Sequence, residues 1–175
     1  MYLQPGTQLQ GGKYKIVRHI SSGGFGCTYE AIHTGFDERV AIKEFFVKDF
    51  CNRDEDTAHV TIGTTSKVAL VKKLQKKFVD EARAIRKLRH DHIVQVSDVF
   101  EENGTAYYVM DFIDGMSLHA MLKRDGALPE ARAIKYVRQV ASALDYVHSQ
   151  NRPQRNCNHS RFHDSSMGLR LALSK

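Results

Sequence analysis

Cysteine is scarce in this 175-residue sequence, and the three that occur, Cys27, Cys51 and Cys157, form no CxxC pair. An odd, scattered set excludes a disulfide framework and a cysteine-based metal knuckle, and fits a reducing, cytoplasmic setting. No run of about 18 apolar residues occurs, so no segment is expected to span a bilayer. The opening "MYLQPGTQLQGGKYKI" lacks a basic stretch followed by an apolar one, so no export signal is read there. Acidic residues are nearly missing between Lys67 and Arg89, where only Asp80 and Glu81 face Lys67, Lys72, Lys73, Lys76, Lys77, Arg83, Arg86, Lys87 and Arg89. Such a surplus can attract an acidic partner. No aromatic residues alternate with the charges for base stacking, so a solvated helix face is expected and nucleic acid is not.

What is present is enough for one ordinary globular domain, with 42% hydrophobic and 26% charged residues. From Tyr14 to Phe46 the runs "YKIVRHI", "CTYEAIH" and "RVAIKEFF" read as three short strands joined by tight turns. The polar segment "KDFCNRDEDTAHVTIGTTS" reads as an irregular loop insertion, at about residues 47–65. A helix is expected from about Ser66 to Arg89, with Val71, Leu74, Phe78, Ala82, Ile85 and Leu88 on one apolar stripe. Two strands follow around "ENGT", where Asn103 and Gly104 suit positive φ. Ser117 caps a short helix, and Pro129 opens another that carries Ile134, Val137, Val140, Ala141, Leu144 and Val147 on one face. Strands, a helix, strands and then helices give an α+β order.

Glycine is concentrated where a turn joins two strands. Gly23, Gly24 and Gly26 leave the backbone free to approach a polyanion, and Phe25 at the tip can cover it. Tight hairpins use such glycines too. A dinucleotide fold is excluded, because there the glycines lead into a helix, and here they lead into the strand "CTYEAIH". Lys43 lies in the apolar run "VAIKEF" on the same face as Ala41, a costly place for a lysine without an anion. Glu81, inside the amphipathic helix, is the natural partner, with Glu44, Asp80 and Asp49 as rivals.

Together these residues resemble the protein kinase family. "ISSGGFGCTYEA" is similar to its glycine-rich loop, "VAIK" to its strand-3 lysine motif, and "FVDEARAIRKLRHDHIV" to its αC helix. "AYYVMDFIDGMSL" is similar to the strand-5 and hinge segment, and "LPEARAIKYVRQVASALDYVHSQN" to helix αE. The wording is most similar to bacterial serine/threonine kinases of the eukaryotic type. The resemblance implies an N-lobe with a five-stranded antiparallel sheet plus αC over residues 14–113, after an N-terminal extension at 1–13. A partial C-lobe with αD and αE at 114–150 follows. It implies ATP as ligand, a protein substrate, and phosphoryl transfer from ATP to serine or threonine. Gly23 and Gly26 would bring amides to the phosphates, with Ser21 in place of the loop's usual first glycine. Lys43, paired to Glu81, would bind the α- and β-phosphates. Ala41 and Thr28 would pack on adenine, Met110 would be the gatekeeper, and the backbones of Asp111 and Ile113 would bond the adenine edge. Ile85 and Val96 would link the helix to the sheet.

The family's catalytic apparatus does not follow. After "YVHSQN" stands "RPQRNCNHS", where H-R-D and its asparagine belong, and no D-F-G occurs. The family's Mg2+ therefore lacks its protein ligands, no catalytic or metal-binding residue is assigned, and the chain is expected to be inactive. The tail, 151–175, loses all periodicity, as a shifted reading frame would cause, and is expected to be disordered. The αE stripe would then lack a cover, which implies docking of a protein partner or self-association.

Overall fold

The computed structural model describes residues 2–54 and 57–150. The tail read as disordered lies outside them. The chain divides into two units, Met1–Lys87 with Gln95–Phe112, and Leu88–Val94 with Ile113–Lys175.

The first unit is built on an antiparallel sheet. Its strands are β1 (Gln8–Leu9), β2 (Tyr14–Gly23), β3 (Gly26–His33), β4 (Glu38–Phe45), β7 (Val96–Glu102) and β8 (Thr105–Asp111). They lie in the order β1-β2-β3-β4-β8-β7. The sheet therefore has six strands rather than the expected five, because the N-terminal extension pairs Gln8 with Lys15 and Leu9 with Tyr14. Leu3 and Leu9 are buried, which anchors that extension. At the β7–β8 turn Asn103 and Gly104 adopt φ of 52° and 71°, the left-handed values that a tight hairpin requires.

The polar segment expected to be an irregular loop is instead a hairpin, β5 (Cys51–Arg53) paired with β6 (Val60–Ile62). Cys51 and Val60 are buried. Its register also rests on an ion pair with β4, described below, which no local pattern announces.

Helix α1 (Val68–Arg86) follows a single 3-10 turn at Thr65–Lys67. It buries Val71, Phe78, Val79, Ala82 and Ile85, and Leu74 and Leu88 of the expected stripe are half-buried. Arg83 and Arg86 in its last turn suit the negative end of the helix dipole. Phe78 packs against Phe45 and Tyr108, ring centroids 5.6 Å and 5.0 Å apart, so α1 lies on the sheet face that carries Tyr108.

The second unit contains α2 (Leu118–Asp125) and α3 (Glu130–Gln150). The Ser117 hydroxyl caps α2 by accepting from the Ala120 amide at 3.1 Å. Pro129 sits one residue before α3, and its carbonyl accepts from Arg132 and Ala133. Ala143 and Val147 of α3 form a small core with Ile93, flanked by Leu88 and Tyr146. Of the expected α3 stripe only Val147 is buried. Val140 is half-buried, Ala141 is exposed, and Ile134, Val137 and Leu144 are 42%, 66% and 43% exposed. No helix among the described residues is long and apolar enough to cross a membrane.

Candidate functional site

Strand register gathers the predicted residues. In an antiparallel pair, directly opposed residues share a face. Thr28 opposes Lys43, Lys43 opposes Tyr108, and Ala41 opposes Met110. Thr28, Ala41, Lys43 and Met110 thus line one face, the face on which α1 packs. Thr28, Ala41 and Met110 are buried, while Lys43 is half-buried. Val96 opposes Met110, and both Val96 and Ile85 are buried, as expected of residues that join helix to sheet.

The Lys43 ammonium stands 5.5 Å from the Tyr108 ring centroid and 5.8 Å from that of Phe78. Two ring faces at this range stabilise the cation and hold its stem in place. Phe78 is one turn before Glu81 on α1, so Glu81 follows on the same side of the helix, half-buried. The rivals for Lys43 stand elsewhere. Asp80 is exposed and lies 3.8 Å from Arg83, Asp49 is exposed, and Glu44 points to the opposite face.

The glycine turn is a tight β2–β3 hairpin in which Ser21 opposes Thr28 and Gly23 opposes Gly26. Its glycines have different tasks. Nothing lies within 4 Å of a Cβ built on Gly23 or Gly24, so the space above them is open to a ligand. A Cβ on Gly26 would collide with the carbonyl oxygen of Glu44, so that glycine is demanded by the sheet itself. Phe25 is exposed at the tip, and its carbonyl accepts from the Phe46 amide at 3.1 Å. Ile20 was not singled out from the sequence. It is the extra residue in a register shift between His19 and Ser21, and it stands exposed beside the turn. Its only sequence signal is an apolar residue just ahead of the serines.

The Asp111 amide donates to the Gln95 carbonyl at 3.1 Å, at the end of β8. Ile113 belongs to the second unit and is exposed. At the outer end of the ligand face, the buried Glu30 carboxylate is held by Arg18 at 2.7 Å and Arg39 at 2.9 Å.

The back face of β4 carries a buried polar cluster. Glu44 is 0% exposed and accepts from Tyr29 at 2.8 Å, Tyr107 at 2.9 Å and Arg53 at 2.6 Å. Burial, and then the Glu44 charge, push both tyrosine hydroxyls well above the ordinary tyrosine range, so they remain donors. Burial opposes the Arg53 charge, but the Glu44 carboxylate more than offsets it and keeps the guanidinium ionised. Burial also raises the Cys27 thiol, which leaves it an inert core residue.

The exposed glycine amides and the inward cation fit a polyphosphate, and the apolar strip from Thr28 to Met110 fits a flat ring. No group of three or more His, Cys, Asp or Glu side chains able to hold a metal ion occurs among the described residues.

Comparison with known proteins shows the family. The protein kinase domain family matches residues 14–155. The serine/threonine-protein kinase PknE of Mycobacterium bovis is 33% identical over 144 residues, 82% of this chain and 22% of that protein. PknD of Mycobacterium tuberculosis is 34% identical over 146 residues, 83% of this chain and 19% of that protein. The chain thus spans about a fifth of the length of these curated relatives. Among solved structures, the apo form of PpkA-294 superposes with a TM-score of 0.80 at 24% identity, over 86% of this chain and 53% of that one. The PknI kinase domain of M. tuberculosis gives a TM-score of 0.62 at 26% identity, over 90% and 55%.

Proposed function

The chain belongs to the protein kinase family, and we propose that it is the ATP-binding portion of a serine/threonine kinase. The observation that carries this reading is the shared face of Thr28, Ala41, Lys43 and Met110, with Lys43 held between Phe78 and Tyr108. In this reading the Gly23 and Gly24 amides and the Lys43 ammonium bind phosphate oxygens, and Glu81 orients Lys43. Ile20, Thr28 and Ala41 cover one side of the adenine, Met110 closes its back, and the Asp111 carbonyl bonds its edge. ATP supplies the transferable phosphoryl group. Magnesium would neutralise its charge, but the sequence offers neither the asparagine nor the D-F-G aspartate that hold it in the family.

The chain as it stands therefore binds nucleotide without transferring phosphate. Binding is weak, because the metal bridge to the phosphates is missing. Titration with a fluorescent ATP analogue tests this. A saturable isotherm that competes with unlabelled ATP supports the reading, and binding only to DNA or RNA, lost with added salt, overturns it. Detectable transfer to a generic protein substrate would refute the inactivity.

A second reading, a docking module acting through α3, is favoured by the exposure of Ile134, Val137 and Leu144. It requires self-association or a captured partner. A monodisperse monomer by light scattering at tens of micromolar protein would remove the self-association form of it.

A further inference from the structure

Between β4, which carries Lys43, and α1, which carries Glu81, the chain inserts the β5–β6 hairpin. Its central residue is unusual for a surface insertion. The Arg53 side chain is 3% exposed, and one end of its guanidinium donates to Glu44 at 2.6 Å. The other end donates to the Ala58 carbonyl at 2.7 Å, which ties one strand of the hairpin to the approach of the other. Its guanidinium carbon lies over the Phe46 ring, 5.2 Å from the centroid. A charge so deeply placed is held in one position, because every alternative leaves it or Glu44 uncompensated.

The hairpin is seated at both ends. The Val60 amide donates to the Asn103 carbonyl at 2.7 Å, fixing β6 on the β7–β8 turn. The Gly63 amide donates to the Phe50 carbonyl at 2.9 Å, closing the base of the hairpin just before the helix. The Lys67 ammonium stands 5.6 Å from the Phe50 ring centroid, so the first turn leading into α1 rests on the same base.

Helix α1 needs that support. No side chain caps its start, and its first turn has no acidic residue. Lys72 and Lys73 follow in the second turn, so no acidic side chain complements the positive end of the dipole there either. Left to itself this terminus would fray.

We propose that the β5–β6 hairpin is a brace for the nucleotide site, and that Arg53 is a positioning residue acting through Glu44 and α1. Glu44 adjoins Lys43 on β4 and faces the other way, so anchoring it fixes the strand at the lysine. The hairpin base fixes the start of the helix that brings Glu81 to the same face. The effect on nucleotide rests on the proposed ATP site, whereas the support of α1 does not.

Hydrogen exchange on the full chain separates the two. In Arg53→Met the amides of residues 71–75, the first with acceptors inside the helix, should exchange at least about tenfold faster through a local, denaturant-independent opening, while those of β3 and β4 accelerate only through the fall in global stability. Arg53→Lys, which keeps the charge but cannot reach Glu44 and Ala58 together, should show a smaller change at the same amides. This variant remains informative if Arg53→Met does not fold. Affinity for a fluorescent ATP analogue should fall about tenfold in Arg53→Met at temperatures where the sheet stays protected, with partial rescue in Arg53→Lys. Acceleration at residues 71–75 only through global unfolding, with the same denaturant dependence as β3 and β4, or none there at all, would overturn the brace. Failure of the unaltered chain to bind nucleotide would instead reject the ATP site, and the exchange pattern would still decide the brace.

Discussion

Arg53→Met is expected to lower the stability of the chain by roughly 3–5 kcal/mol, the usual cost of removing one partner from a buried ion pair. Glu44 is fully buried and would keep only the Tyr29 and Tyr107 hydroxyls, neither of which can balance a full charge. The Ala58 carbonyl would lose its donor as well. The size of the loss comes mostly from the stranded carboxylate rather than from the net worth of the pair. Removing that charge too, in Glu44→Gln with Arg53→Met, should therefore recover much of it, since the amide oxygen still accepts from a tyrosine. Urea unfolding of the two single variants and the double variant gives the coupling directly. A loss below about 1 kcal/mol in Arg53→Met would place the pair in the class of solvent-screened surface bridges.

Lys43→Met is expected to leave stability nearly unchanged and to reduce affinity for ATP roughly 10- to 150-fold. Methionine keeps an unbranched, adaptable stem between Phe78 and Tyr108, and sulfur packs well against aromatic rings. What is lost is a charged donor to phosphate, worth about 1.5–3 kcal/mol, and each 1.4 kcal/mol is about tenfold in affinity. Calorimetric melting and nucleotide titration on the same sample separate the two effects. Unchanged affinity would mean that Lys43 does not meet the phosphates.

Much of the site was legible in the sequence because its signals are local. The alternation of "VAIKEF" puts Ala41 and Lys43 on one face, and the register extends that face to Thr28 and Met110. The period of α1 gave its buried side, and Asn103-Gly104 and Ser117 gave a turn and a cap through their own backbone chemistry. The hairpin at β5–β6 was not legible. Arg53 lies in a stretch with the composition of a solvated loop, and its place depends on Glu44, nine positions earlier on another strand. Strand β1 was missed for a similar reason, since "TQLQGGK" carries only one apolar residue to mark it. The importance of Ile20 follows from a register shift, which no residue pattern announces.

The α3 helix shows a different limit. Its apolar residues are more numerous than one face needs, and periodicity alone favoured Ile134, Val137, Val140, Ala141, Leu144 and Val147. Of these the helix buries only Val147, and it buries Tyr136, Gln139 and Ala143 beside it. Half-polar side chains such as tyrosine are passed over when apolarity is the only criterion, although the ring buries well when the hydroxyl reaches a partner.

The most direct test of the account is the amide chemical-shift map of the labelled chain as ATP is added. Perturbations are expected at residues 20–28, around Ala41 and Lys43, and at Met110 and Asp111. Perturbations confined to the basic surface between Lys67 and Arg89, or no saturable change at all, would contradict it.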